Sequence, residues 1–343
     1  MTGRANELRG LRMMVFAVVP SAMAVTSCAT EPTLDGVVEV ASSPYAGCAR
    51  TASGSVACWY DRSSAPDARK VDEEEARSAR FVDGIAATQI EVSRTACALG
   101  NDARVRCWIR PDPDQVAAPF EIRGLADVKD FVLGSTYGCA RTSSNVMCWG
   151  GALPAATAVP GWPGPDVAEL AMGTGDDVCG RLASGAVECV ELSDLVRGSA
   201  APRRIEGLVA LTIGRTGATY AAITPGQGVV VWSTRDATPT TVAIPPVTNA
   251  QALVDRASCA LLANGTTRCW ELGFRGPFET YPEFRPCNPD QQDCDGALQK
   301  PFPPPAGVRV EAAQSFRGCA ATNDGRARCW GGAWEGLVID GDQ

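Results

Sequence analysis

A short motif with two cysteines recurs along the chain and constrains its fold more than any other feature. The first copy runs from Gly47 to Trp59, with the turn residues Ala52-Ser53-Gly54 between Cys48 and Cys58. A three-residue hairpin loop ends in a left-handed residue, which glycine adopts without steric cost. With that loop, the two cysteines lie opposite each other on neighbouring strands. The motif therefore predicts a β-hairpin whose arms are joined by a disulfide.

Five further cysteine pairs have a spacing of nine or ten residues. They are Cys97–Cys107, Cys139–Cys148, Cys179–Cys189, Cys259–Cys269 and Cys319–Cys329. In the third copy we expect Asn145 to replace the glycine, because asparagine is the next best left-handed residue. A further copy ends at Trp232 and carries Ala221 and Val231 at the cysteine positions. Both cysteines are missing together there, which favours a bond over the alternative of two buried, unbonded thiols.

Residues 1–27 look like the signal peptide of a bacterial lipoprotein. Three arginines precede an apolar run of 13 residues, which is too short to span a bilayer, and the run leads to Val25-Thr26-Ser27-Cys28. This resemblance implies cleavage before Cys28, lipidation of Cys28 and a tether over residues 28–35. The alternatives are an ordinary signal peptide and a cytosolic chain with a chance apolar start.

The cysteine count agrees with export. Of 15 cysteines, the six pairs use twelve, Cys28 carries the lipid, and Cys287 and Cys294 form a seventh pair. Disulfides on this scale are typical of an oxidising compartment. We therefore expect a lipid-anchored protein of the bacterial cell envelope, on the periplasmic or surface side of the outer membrane, with no membrane-spanning helix in the mature chain.

Charge and composition exclude several function classes. The 343 residues include no histidine, so neither a Ser-His-Asp arrangement nor a histidine metal site can form. Without the three arginines and one glutamate of the leader, the net charge is −10, counted from 31 basic and 39 acidic residues. That balance argues against nucleic acid as a partner. We expect no metal and no cofactor.

The spacing of the motif predicts a repeat architecture. A spaced apolar run precedes each hairpin, as in Gly36 to Val40, Gly124 to Val128 and Gly207 to Leu211, and a proline-rich connection with another short run follows most of them. Seven units of about four short strands indicate an all-β, seven-bladed β-propeller with antiparallel blades over residues 36–343. We expect Leu337-Val338-Ile339 to complete the blade begun at Gly36 and so to close the ring.

Two copies of the repeat are the most regular: Cys139-Ala140 to Cys148-Trp149-Gly150, and Cys319-Ala320 to Cys329-Trp330-Gly331-Gly332. This repeat resembles that of the regulator of chromosome condensation family, and residues 332–337 echo the family's tail motif. It implies a seven-bladed propeller of the exported, cysteine-bearing type. The family's nucleotide exchange on a small GTPase needs a cytosolic or nuclear partner, so it is not expected of an exported chain. Some exported relatives look like protein-binding propellers, including β-lactamase inhibitors, and only that binding mode is carried over.

An insertion at residues 273–306 interrupts the last repeats. It holds the aromatic residues Phe274, Phe278, Tyr281 and Phe284, together with the Cys287–Cys294 loop. Repeat scaffolds carry their individual functions on such loops, so these aromatics are the candidate partner-binding residues. The alternative is a disulfide-bonded surface loop that only covers one rim. Asp290, Asp293 and Asp295 supply fragments of a calcium loop, without its full pattern.

These observations predict a monomeric propeller without enzymatic activity. It would bind a macromolecular partner, a protein or an envelope polymer, through its loop faces. An envelope enzyme acting on a glycan or peptide in the channel is one alternative, and it requires convergent polar residues from several blades. A structural envelope component without a discrete ligand is another. The adjacent acids Asp176 and Asp177 are a weak catalytic candidate, since neighbouring strand residues point to opposite faces.

Overall fold

Short β-strands make up most of the described chain. The computed structural model describes residues 34–43, 46–60, 79–109, 118–173, 176–216, 219–234, 242–243, 249–254, 259–263, 267–269, 318–321, 325–330 and 338–339. The helical segments within them are the α-helix α1, Leu192–Arg197, and a single 3₁₀ turn, Gly164–Asp166. No helix in these ranges is long and apolar enough to cross a bilayer.

The described strands form seven sheets in which sequence neighbours pair antiparallel. The first two sheets are β1 Val37–Ser43, β2 Ala46–Thr51, β3 Val56–Tyr60 and β4 Arg80–Phe81, then β5 Ala87–Val92, β6 Thr95–Gly100, β7 Val105–Ile109 and β8 Phe120–Glu121. The third and fourth are β9 Val128–Leu133, β10 Tyr137–Thr142, β11 Asn145–Gly150 and β12 Leu153–Pro163, then β13 Val167–Met172, β14 Asp177–Leu182, β15 Ala186–Glu191 and β16 Arg203–Val209. The remaining sheets are β17 Thr212–Thr216, β18 Thr219–Ile223, β19 Val229–Trp232 and β20 Val242–Ala243, then β21 Ala250–Val254, β22 Cys259–Leu262 and β23 Thr267–Cys269, and finally β24 Gly318–Ala321, β25 Ala327–Trp330 and β26 Val338–Ile339.

Hydrophobic clusters fill the space between consecutive sheets. Alternate residues of a strand point to opposite faces, so the first three hairpins present their cysteines to one neighbouring sheet and their tryptophan to the other. Cys48 and Cys58 pack with Trp108 of the second sheet, whereas Trp59 packs with Ala327 of the seventh sheet. In the same way, the cysteines of the second sheet pack with the tryptophan of the third. The paired cysteines and the tryptophan thus belong to the core between sheets.

The fourth and fifth sheets preserve this packing with other residues. Val190 stands where most hairpins have tryptophan, and Trp162 of β12 joins it in the cluster between the third and fourth sheets. The indole Nε1 of Trp162 donates a hydrogen bond to Glu188, at 3.1 Å. In the fifth sheet, Ala221 and Val231 lie in the cluster that faces the sixth sheet. Apolar side chains therefore occupy the same interface where the two cysteines are absent.

A recurring hydrogen bond, here called the turn latch, joins a hairpin turn to the start of the next sheet. The accepting carbonyl belongs to a turn residue with positive φ, and the donor is a backbone N–H at or just before the next first strand. The acceptor–donor pairs, 2.7–3.0 Å apart, are Gly54–Ala87, Ala103–Val128, Gly185–Ala210, Gln227–Ala250 and Gly325–Val37. The last latch joins the seventh sheet to the first.

The C-terminal strand does not complete the first sheet, contrary to the prediction. Strand β26 pairs with β25 through Ala327 with Ile339 and Arg328 with Val338, so it belongs to the seventh sheet. The first sheet already has four strands, all from residues 37–81. Any closure between the two ends of the repeat therefore occurs by contact between sheets and not by exchange of a strand.

The prediction for Asn145 is also wrong. This residue begins β11 and has no positive φ, whereas Gly54, Ala103 and Gln227 have φ of 89°, 59° and 58° in the corresponding turns. The third hairpin is one residue shorter and has no latch of the common kind. The amide of Gly164 instead donates to the carbonyl of Ser144, at 2.8 Å.

Candidate functional site in the channel

Four disulfides lie among the described side chains, and each joins directly opposed residues of a hairpin. They are Cys48–Cys58, Cys97–Cys107, Cys139–Cys148 and Cys179–Cys189. All eight cysteines are at most 3% exposed. The backbone also places Cys259 opposite Cys269 and Cys319 opposite Cys329. The four bonds support the predicted disulfide bonding and indicate a non-reducing, extracytoplasmic compartment.

The other residues singled out in the sequence do not form a site in the described part of the chain. Cys28, the Cys287–Cys294 pair, the calcium-loop acids and the aromatics of residues 273–306 lie outside the described residues. Asp177 begins β14, where its carboxylate accepts a 2.5 Å hydrogen bond from the Thr234 hydroxyl. The backbone carbonyl of Asp177 accepts a hydrogen bond from the buried Tyr220 hydroxyl, at 2.9 Å. Asp177 thus joins the fourth sheet to the fifth.

One cavity lies where the first strands of the second to sixth sheets come together. Strands β5, β9, β13, β17 and β21, here called the channel strands, line a cavity of about 350 Å³. A central space bordered by the first strand of successive sheets is the channel of a propeller. Its polar lining residues are Gln89, Glu91, Asp130, Glu169 and Thr212, and the rest of its wall is apolar.

An ion pair between an acid and an arginine recurs beside this cavity. An acid on the first strand faces an arginine on the second strand of the same sheet, in the pairs Glu39–Arg50, Asp130–Arg141 and Glu169–Arg181. In the second sheet both members change, to Gln89 opposite Leu99. The hydrogen bond to Asp130 raises the pKa of the Arg141 guanidinium, against the opposing effect of its partial burial, so this guanidinium keeps its charge.

In three of these four sheets, the acid or amide on the first strand also binds the next sheet. Glu39 accepts a hydrogen bond from the Ile90 amide at 3.1 Å, and Glu169 accepts one from the Ile213 amide at 3.1 Å. The Gln89 side chain donates to the carbonyl of Phe131 at 2.7 Å and accepts from its amide at 3.3 Å. These contacts satisfy backbone groups on the open edges of β5, β9 and β17, which face a narrow space.

A β-bulge precedes each of these side chains. The register of the first strand shifts between Val37 and Glu39, and it shifts at the equivalent point before Gln89, Asp130 and Glu169. A bulge bends the strand and redirects the side chain that follows it. The bulge thus explains how a strand residue reaches the neighbouring sheet.

Sequence reasoning missed the residues of the channel. A signal was present: Cys-Ala-Arg at 48–50 and 139–141 and Cys-Gly-Arg at 179–181 each follow an acid that lies nine or ten residues before the cysteine. That arrangement places acid and arginine opposite each other on paired strands. In the described residues, no group of three Cys, Asp or Glu side chains is placed to hold a metal ion.

Comparison with known proteins supports the fold. No family model and no curated protein matches the chain. The CRINKLY WD40 ectodomain of the Arabidopsis thaliana receptor kinase ACR4 is similar over 89% of this chain and 97% of its own, with 14% identity and a TM-score of 0.50.

Structures of yeast Prp20, the regulator of chromosome condensation RCC1, are also similar. One, bound to Kap60, matches over 86% of this chain and 70% of its own, with 12% identity and a TM-score of 0.45. Another, from Saccharomyces cerevisiae, has 14% identity and a TM-score of 0.44, and the match spans 57% of each chain. The four-stranded antiparallel sheets, their shared channel and the likeness to the ACR4 ectodomain together show that this chain is an all-β propeller.

Proposed function

We propose that this protein is a lipid-anchored propeller of the bacterial cell envelope that binds a protein partner through its loops. One observation carries the proposal: the recurring side chains are engaged in holding sheets together. The disulfides and tryptophans fill the cores between sheets, and Glu39, Asp130 and Glu169 are held in ion pairs. Specific recognition then belongs to the parts that do not recur, chiefly the connecting loops and residues 273–306.

We also propose that the seven sheets close into one seven-bladed ring. The supporting contact is the latch from Val37 to Gly325, which has the same geometry as the latches between consecutive sheets. The packing of Leu34, Val37 and Trp59 with Ala327 supports it as well. A closed ring is rigid enough to hold several loops in fixed relative positions, as a multi-loop binding surface requires.

The anchor would decide which end of the propeller meets the partner. If Cys28 carries the lipid, the six residues to Leu34 span at most about 20 Å. Leu34 packs beside Val37, at the end where the first strands begin and the hairpin turns lie. That end would face the membrane. The connections after the third strands, including the one that follows Thr267–Cys269, leave from the opposite end and would face a partner.

The channel carboxylates do not favour the enzyme alternative. Glu91, Asp130 and Glu169 converge from three sheets, which is the arrangement that an enzyme in the channel requires. Asp130 is paired with Arg141, and Glu169 binds Arg181, the Thr212 hydroxyl and the Ile213 amide. Both carboxylates are already engaged by these partners, which leaves them poorly placed to contact a substrate. A structural role without a ligand is the remaining alternative, and the experiment below tests it.

Anchoring and binding are tested separately in bacterial cells that produce the full chain. We expect Cys28→Ser to move the protein from the membrane fraction to the soluble fraction.

A photo-crosslinking amino acid at position 278 should capture a discrete protein. The matched control is the same amino acid at position 120, since Phe120 is a half-exposed aromatic residue on an outer strand. Capture at neither position would contradict the binding function, and capture at position 120 alone would contradict the role of residues 273–306.

A further inference from the structure

We propose that the end of the propeller that carries the hairpin turns rests on the surface of a lipid bilayer, which it contacts through Val209 and Leu211. This end, here called the turn end, holds the turns at 52–54, 183–185 and 224–228 and the five turn latches. The inference rests on the lipid anchor proposed above for its orientation. It adds a contact that the folded chain itself makes with the membrane.

Val209 and Leu211 are the most exposed large apolar residues in the described part of the chain. Their exposed fractions are 49% and 53%, whereas Ala210 between them is 2% exposed and lies in the core between the fourth and fifth sheets. The two side chains therefore point away from the core together. Apolar surface of this kind is unfavourable in water, and burial against an apolar partner recovers that free energy.

Backbone hydrogen bonds hold both residues at the turn end. Val209 pairs with Ala186, the residue that follows the turn glycine Gly185. The Leu211 amide donates to the carbonyl of Ile223, at 2.7 Å, just before the turn of the fifth hairpin. Both side chains are thus presented from a fixed backbone beside two hairpin turns, and a contact through them orders no loop.

The pair departs from the repeat at its two positions, which flank the latch donor Ala210. In the other sheets with a described latch, the residues before and after the donor are Gly36 and Val38, Ala86 and Thr88, Asp127 and Lys129, and Asn249 and Gln251. Among the five latches, two large apolar residues occur together only at 209 and 211. The latch forms in every case, so the packing of the sheets does not require them.

The tether and the composition of this surface select a membrane as its occupant. Six residues lead from Cys28 to Leu34 at the turn end, so the folded part begins at most about 20 Å from an acylated Cys28. Val38, which is 40% exposed, is a third apolar residue at this end. No charged residue occurs at 207–214 or in the turns at 183–185 and 224–228. Such a surface binds the interface of a bilayer by burying apolar area, without a need for anionic lipid.

The test places a fluorescent amino acid at position 211 of the full, acylated chain in phosphatidylcholine vesicles. Phospholipids with brominated acyl chains should quench this probe at least about twofold, because an apolar interfacial contact lies about 5–10 Å into the headgroup and acyl boundary. Addition of phosphatidylglycerol should not strengthen the quenching. The same probe at position 120 is the matched control, because Phe120 is similarly exposed, at 47%, on the outer strand β8. It should not be quenched.

Further arms separate this contact from the anchor and from other occupants. If the probe at 211 disturbs the fold, position 209 carries it instead. The mass of the chain shows whether Cys28 is acylated, and its absence would contradict the anchor, whereas quenching alone decides the contact. Equal quenching at 211 and 120 would overturn the proposal. A photo-crosslinker at 211 that captures a second copy of the chain or another protein, and not lipid, would overturn it as well.

Discussion

At the scale of single residues, the turn latch depends on backbone conformation more than on glycine. The carbonyl that accepts the latch belongs to a left-handed residue in all five cases. Glycine holds this position in the first, fourth and seventh hairpins, whereas Ala103 and Gln227 hold it in the second and fifth. Residues with a Cβ atom adopt this conformation at a cost of about 1–2 kcal/mol. The latch therefore keeps two residues in an unfavourable conformation.

This cost predicts that Ala103→Gly stabilises the protein. Glycine removes the steric cost of a Cβ atom in the left-handed conformation. This gain exceeds the loss that comes from the greater entropy of glycine in the unfolded chain, so we expect the free energy of unfolding to rise by about 0.5–1 kcal/mol. Chemical denaturation of the full chain measures it. Ala183→Gly is the matched control, because Ala183 is an exposed turn residue without positive φ and should lose stability. Equal effects at the two positions would show that the φ of Ala103 carries no cost.

At the scale of the hairpin, the tryptophan of the first and third sheets packs over the glycine directly opposite it. Gly47 pairs with Trp59, Gly138 with Trp149, and the indole covers the glycine in both. A Cβ atom built on Gly138 would lie 2.3 Å from the Trp149 ring. In the fifth sheet a tyrosine takes this position, and its ring stacks on that of Trp232 with centroids 5.5 Å apart.

Gly138→Ala should therefore destabilise the protein by about 2 kcal/mol, because the indole of Trp149 must leave its packed position. The change in the unfolding midpoint, with tryptophan fluorescence as the probe, checks this. Gly226→Ala serves as the control, since its added Cβ would meet only the Thr224 hydroxyl oxygen, at 4.0 Å. We expect no loss of stability there. A tolerated Gly138→Ala would contradict the account of the glycine–tryptophan pair.

The hairpin of the fifth sheet should accept the disulfide that it lacks. Ala221 and Val231 are directly opposed, as the bonded cysteines are in the other hairpins, and both are buried. We expect the double variant Ala221→Cys/Val231→Cys to form a bond and to gain about 2–3 kcal/mol. Mass spectrometry without reductant detects the bond, and unfolding with and without reductant measures its effect. Ala221→Cys alone is the control. Free thiols in the folded double variant would show that the strands are held in another geometry.

At the scale of the whole molecule, the repeat could be predicted from the sequence because its signals are local. Hairpin register, cysteine pairing and the number of units all follow from spacings within about 15 residues. Strand starts were less accurate: the run from Gly124 to Val128 was expected to be a strand, but β9 begins only at Val128. The run from Gly207 to Leu211 predicts the first strand of the next unit, but its residues Gly207 to Val209 form the end of β16.

The contacts between sheets could not be predicted in the same way. The bond from Glu39 to the Ile90 amide joins residues 51 apart, and the bulge that directs Glu39 leaves no mark in the sequence. The error at the C-terminus has the same origin. An apolar run such as 337–339 predicts a strand. Which strand it pairs with depends on how the first and seventh sheets are arranged in space, and the run itself does not show that arrangement. Only the structure shows that Val37 meets Gly325 and that β26 stays in its own sheet.

The proposed closure of the ring predicts an unequal response of two glycines to the same substitution. Gly325 has φ of 75°, and an added Cβ would lie 3.1 Å from the Cα and N atoms of Gly36. Gly84 has φ of 73°, but nothing lies within 4 Å of its added Cβ. The two positions therefore share the conformational cost of alanine and differ in the contact between the first and seventh sheets.

We expect Gly84→Ala to lower the free energy of unfolding by about 1–2 kcal/mol, the left-handed cost alone. Gly325→Ala should lower it by about 1–3 kcal/mol more, because the first and seventh sheets must move apart. Hydrogen exchange gives a second measurement: amides of β1 and of β24 and β25 should lose protection in Gly325→Ala and keep it in Gly84→Ala. If the two variants are equally stable and equally protected, the seam between these sheets does not support the fold, and the ring is open at that point.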